Sequence, residues 1–133
     1  MVALVLSIVF TAAVLVAAGI GVYVIAARTA SGRIGRNNYA GIRTPATMSS
    51  DEAWLAGHEA GEAFAKWGGL VAVITGAVSL LPALLAPVFG DDGRDTIATW
   101  WTFTIMLGTV LMVTFVLVSA VQGHRAAKEV RDG

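Results

Sequence analysis

Residues 1–27 read MVALVLSIVFTAAVLVAAGIGVYVIAA, with no charged side chain among them. Two further stretches share that property: WGGLVAVITGAVSLLPALLAPVFG over 67–90 and TIATWWTFTIMLGTVLMVTFVLVSAVQG over 96–123. About 20 consecutive apolar residues cross the hydrocarbon core of a bilayer as a helix. Each stretch is longer than that, so the chain reads as three transmembrane helices, over about 2–27, 68–89 and 97–122. Only helices suit such spans, because backbone groups in lipid must be satisfied within the segment.

Composition agrees. Of 133 residues, 56% are hydrophobic and 14% charged, against about 25% charged in a typical soluble domain. An ordinary soluble enzyme and a disordered tail are excluded. The formal net charge is zero, so no overall field draws a phosphate backbone, and no nucleic-acid partner is expected. Cysteine is absent, which removes disulfides, thiol nucleophiles and thiolate metal sites. Outside the spans there is room for one segment of about 40 residues, too little for a soluble domain. The whole of 1–133 is read as a single membrane domain.

The apolar run of 1–27 has no basic residue before it, and it exceeds the roughly 7–15 residues of a signal-peptide core. Positive charges follow it instead, at Arg28, Arg33 and Arg36. That order predicts a retained anchor, although Ala26-Ala27 resembles a cleavage site. Basic loops stay in the cytoplasm. Segment 28–66 holds Arg28, Arg33, Arg36, Arg43 and Lys66, and the tail holds Arg125, Lys128 and Arg131. The turn between spans two and three holds only Arg94, beside Asp91, Asp92 and Asp95. The predicted N-terminus is therefore outside and the C-terminus inside. Trp100 and Trp101 fall at the outer interface, and Tyr23 and Trp67 at the inner one.

Small residues at four-residue spacing let helices approach closely in lipid. Ala13, Ala17 and Gly21 form such a row on span one, and Ala72, Gly76, Ser79 and Ala83 on span two. Both rows are expected to pack the bundle. Pro82 is expected to kink span two and Pro87 to end it.

Within the cytoplasmic segment, residues 28–48 read as an irregular loop with turn signals at Asn37-Asn38 and Thr44-Pro45. Ser49 and Glu52 have capping-box spacing, so a helix is predicted from about Ser50 to Lys66, separated from span two by Gly68-Gly69. Ala53, Gly57, Ala60, Gly61 and Phe64 form its narrow apolar face, and Glu52, Glu59, Glu62 and Lys66 its polar one. Trp54 and His58 lie at the border. Such a helix is expected either to lie at the inner interface against the bundle or to be an ordinary amphipathic connector.

The run Asn38-Tyr39-Ala40-Gly41-Ile42-Arg43-Thr44-Pro45-Ala46-Thr47, followed by Asp51-Glu52-Ala53-Trp54 and His58, resembles the signature of the SdpI/YfhL family of bacterial membrane proteins. In that signature an Asn is followed by Gly-x-Arg-Thr-Pro-x-Thr, a short acidic stretch with a Trp, and a His four residues later. The family is named for an immunity protein that protects a toxin-producing bacterium from its own secreted peptide toxin. The resemblance implies a multi-pass protein of the bacterial cytoplasmic membrane that works by binding and is not an enzyme. Its partner would be a toxin, a signalling protein or a larger complex. The alternative is a small accessory subunit of such a complex. The residues implied to carry binding are Asn38, Gly41, Arg43, Thr44, Pro45, Thr47, Trp54 and His58.

Physically, Arg43 near the inner membrane face can hold a lipid phosphate or pair with Glu52, Glu59 or Glu62. Pro45 is expected to fix the approach to the helix and Trp54 to anchor at the interface. His58 is expected to bond to Asp51, Glu62 or a loop carbonyl. Together these groups are expected to clamp the loop onto the helix. His58 and Glu62 with His124 or Asp51 make a thin ligand set for zinc, and Ser49 and Ser50 are better employed as helix caps than as nucleophiles. The spans hold no ionisable residue except Tyr23, which argues against a transport path. No metal or other cofactor is expected.

Overall fold

In an apolar span the backbone must satisfy its own hydrogen bonds, and the chain coils from its second residue. The computed structural model describes all 133 residues. α1 runs Val2–Ala30, α2 Asp51–Ser79, α3 Leu81–Phe89 and α4 Arg94–Asp132. Three units are long and apolar enough to cross a membrane: α1, α2 with α3, and α4. All elements are helical, as the patterning predicted.

The predicted separate interfacial helix is corrected. Gly68 and Gly69 do not break the chain: α2 continues from the acidic segment straight into the span. Residues 51–66 therefore project along the bundle axis by about 24 Å, at about 1.5 Å per residue. The same end of α4 extends beside them, with Ala46, Ala53 and Ala127 in one buried cluster. The N-cap is Ser50, whose side chain accepts from the Ala53 N–H at 3.0 Å. Ser49 donates instead to the Ala46 carbonyl. Asp51 and Glu52 in the first turn complement the helix dipole.

Pro82 acts as expected, breaking the long helix at Leu80, which lies between α2 and α3. Pro87 does not end α3, which runs to Phe89 before Gly90 turns the chain at φ +60°. Near that turn the Met1 ammonium lies 3.7 Å from Asp91. Ile8, Ala86 and Ile97 form the small core of this end.

α2 is the central helix, packed on α1 along one side and on α4 along the other, while α1 and α4 scarcely touch. Glycine makes both contacts possible. A Cβ on Gly19 would lie 2.5 Å from the Gly69 carbonyl oxygen, and one on Gly69 would lie 2.6 Å from that of Gly19. Gly57 and Gly123 abut each other's carbonyls in the same way across α2 and α4. Ser119 Oγ donates to the Gly61 carbonyl at 2.9 Å. Close backbone packing of this kind holds helices together in lipid, where hydrophobic burial offers little.

Ala72, Gly76 and Ser79 are buried as expected, with Ala83 half-buried. The row on α1 is corrected: Ala13 and Ala17 are exposed, and the packed face carries Ala12, Gly19 and Ala26 at seven-residue spacing. On the early part of α2, Ala53, Gly57 and Gly61 are buried, but Ala60 is exposed and Trp54 and His58 are fully covered. Outward faces carry large apolar side chains such as Phe10, Phe103 and Val110, as suits a lipid-facing surface. Trp100 points outward while Trp101 packs against the Ile8 cluster. Tyr23 and Trp67 are exposed at the other end. Eight of the nine basic residues lie at the loop end, and only Arg94 lies at the Asp-rich turn.

Candidate functional site

α1 ends in a left-handed glycine, Gly32 at φ +72°, the usual helix stop. The chain then crosses the first turns of α2 as an irregular loop held at several points. Arg36 comes first: its Nε donates to Asp51 Oδ1 at 3.0 Å and its NH1 to the Met48 carbonyl at 2.8 Å. Asn37 Oδ1 accepts from the Tyr39 and Ala40 amides, forming an Asx turn. Trp54, 2% exposed, donates its Nε1–H to the Ile34 carbonyl at 3.1 Å.

His58 forms the central lock. Its Nε2 accepts the Ile42 N–H at 2.7 Å, and its Nδ1 lies 2.7 Å from the Trp54 carbonyl of its own helix. An amide can only donate and a carbonyl only accept, so the proton sits on Nδ1 and the ring is neutral. Burial pushes the His58 pKa below its ordinary 6.5, only partly opposed by the bond to the Trp54 carbonyl. The ring lies on Trp54, with centroids 4.1 Å apart. Gly41 is what lets the backbone reach it. Its φ of +104° suits glycine, and a side chain there would strike the imidazole and come within 3.0 Å of Trp54. The Ile42 side chain enters a notch between Gly61 and Gly123, where a Cβ on either would lie 2.7 Å from its Cδ1.

Thr44 and Thr47 cap the turn begun by Pro45. The Thr44 amide donates to Thr47 Oγ1 at 2.9 Å, and the Thr47 amide to Thr44 Oγ1 at 3.2 Å. This is a reciprocal capping box, with proline at the first position, where no N–H is needed. Thr47 Oγ1 also donates to the Ile42 carbonyl at 2.7 Å. Thr44 Oγ1 lies 3.1 Å from His124 Nδ1, which ties α4 to the loop.

Several sequence expectations change here. Trp54 is not at the membrane interface but beneath the loop. His58 bonds a loop amide, not Asp51, Glu62 or a loop carbonyl. The polar role in the turn belongs to Asn37, while Asn38 contributes its backbone carbonyl to the Arg43 guanidinium. Arg43 pairs with none of Glu52, Glu59 and Glu62; the ion pairs are Arg36–Asp51 and Lys66–Glu62, the latter at 2.5 Å. Both nitrogens of His58 are engaged, so it does not join Glu62 and His124 as a ligand set. The sequence reading counted Arg36 only as a loop charge and Asn37 only as a turn signal, gave Ile42 and Ser119 no role, and treated His124 only as a metal ligand. Ile42 was hidden because its contribution is an amide and a shape.

Beneath the loop lies a half-open cleft of about 510 Å³. Its floor is His58, Gly61 and Glu62 of α2, its walls include Val22 and Ile25 of α1 and Val116 and Ala120 of α4, and its roof is Gly41 to Thr44.

No curated protein and no solved structure matches the chain. The model of the SdpI/YfhL protein family matches residues 33–119, from the clamped loop through α2 and α3 and along most of α4. That stretch is more than half of the chain, and it contains the whole Asn38-to-His58 signature. The chain belongs to the SdpI/YfhL family of membrane proteins.

Proposed function

We propose that this chain is a non-enzymatic membrane binding protein of the immunity type, protecting the envelope against a peptide toxin or relaying its presence by contact. The match over 33–119 carries this conclusion. The clamp supports it. Arg36, Trp54, His58, Thr44 and Thr47 are committed to holding the loop, which leaves a shaped surface rather than a nucleophile beside a base. The charge asymmetry between the two ends supports a bacterial cytoplasmic-membrane orientation, with the clamp inside and the Asp91 turn outside. The test is deletion in the native bacterium, followed by exposure to secreted membrane-active peptides. Loss of tolerance that the wild-type gene restores is the expected result. Unchanged tolerance across the panel would refute the proposal.

A second function, accessory subunit of a larger membrane complex, is favoured by one observation. The Ala13 and Ala17 row faces outward on α1 instead of packing within the bundle. Retention of a stoichiometric partner on the tagged protein in mild detergent, lost on Ala17→Phe, would establish it.

A further inference from the structure

We propose that the cleft beneath the loop holds one anionic phospholipid, with its phosphate on Arg43 and an acyl chain between α1 and α4. This goes beyond the immunity function and does not depend on it. The cleft's volume of about 510 Å³ falls within the roughly 300–1,000 Å³ of small-molecule sites. Its walls, Val22 and Ile25 on one side and Val116 and Ala120 on the other, belong to the apolar spans. Because α1 and α4 scarcely touch, the gap between them admits a chain from the bilayer.

Charge decides the headgroup. Arg43 lines the cleft, is exposed, and has no carboxylate within ion-pair distance. One of its five N–H donors is used, on the Asn38 carbonyl. The rest form the planar fork that suits phosphate oxygens. The one acid in the lining, Glu62, is already neutralised by Lys66. Arg43 lines the same cleft as those apolar walls, at the level of the loop. Tyr39, 91% exposed on the same loop, adds an aromatic ring at that level.

The test uses the full-length protein in mild detergent, titrated with dioleoyl phosphatidylglycerol, with the zwitterionic phosphatidylcholine of the same chains, and with inorganic phosphate. Binding is read by native mass spectrometry and by thermal stabilisation. Phosphatidylglycerol is expected to bind about tenfold more tightly than phosphatidylcholine, the scale of one charge-assisted contact. Arg43→Gln abolishes that preference and Arg43→Lys keeps part of it. Arg33→Gln, outside the cleft, leaves it intact. Ala120→Phe fills the groove and weakens both lipids, and it still tests the site if Arg43→Gln fails to fold. Equal loss in Arg33→Gln and Arg43→Gln would show mere surface charge and overturn the proposal. Equal stabilisation by inorganic phosphate would reduce the site to a phosphate contact and overturn it too. So would a co-purified peptide in place of lipid.

Discussion

Replacing Gly41 by alanine should release the loop from α2 without unfolding the bundle. At φ +104° a non-glycine residue carries backbone strain, worth about 1–3 kcal/mol. The new methyl would also strike the His58 ring and press on Trp54. Relief by a shift of the loop breaks the bond from the Ile42 amide to His58 Nε2, and a donor left unsatisfied costs about 1–3 kcal/mol. These costs are not additive, because lifting the loop relieves the strain as it breaks the bond. Either cost alone gives a loss of about 2 kcal/mol in loop-holding free energy, which corresponds to about a 30-fold rise in the open population. The assay is trypsin cleavage after Arg36 and Arg43 in detergent, under conditions where cleavage follows the open population. Gly21→Ala, where a Cβ meets nothing within 4 Å, is the control and should not increase cleavage. Cleavage of Gly41→Ala at the wild-type rate would refute the reasoning.

The remaining predictions concern the same clamp and the packing beneath it. His58 has a lowered pKa in the folded protein, so the open loop binds more protons than the closed one. The clamp is therefore at full strength above about pH 6.5 and weakens as pH falls towards the lowered value; cleavage should accelerate on acidification, and His58→Ala should remove that component. Trp54→Phe keeps an aromatic ring but loses the bond to the Ile34 carbonyl and leaves a gap where half of the buried indole lay, at a cost of at least about 1 kcal/mol, read as at least about fivefold faster cleavage. Gly123→Leu should separate α2 from α4, because its Cβ would lie 2.6 Å from the Gly57 carbonyl oxygen. A backbone cannot yield as a side chain does, so the loss should approach about 3 kcal/mol in denaturation by added SDS, while Gly35→Ala, in open space, stays within about 0.5 kcal/mol.

The three spans were legible because charge alone delimits them. Which face of each helix packs was only half legible. Span one is so rich in alanine and glycine that a four-residue row can be drawn on several faces, and the packed one, Ala12–Gly19–Ala26, keeps a seven-residue spacing instead. Gly68-Gly69 looked like a helix break because glycine costs a soluble helix about 1 kcal/mol relative to alanine. In this bundle the pair admits neighbours: Gly69 meets the α1 backbone at Gly19, and Gly68 faces Val116 and Phe115 of α4. The acidic helix looked interfacial because its partner, the far end of α4, is itself polar and read as a tail. The signature residues Gly41, Thr44, Thr47, Trp54 and His58 come together in the clamp. Its wiring was not legible, since Ile42 acts through an amide and Arg36 takes the Asp51 carboxylate that nearness in sequence offers to several arginines.

The most direct test of the whole account joins the clamp to the function. Deletion cells would carry wild type, Gly41→Ala or His58→Ala at matched abundance in the membrane, and survival would be measured against a secreted peptide to which the deletion is sensitive. The account predicts that wild type restores tolerance and that both variants fail to, although each inserts normally. Full protection by His58→Ala at equal abundance would contradict it.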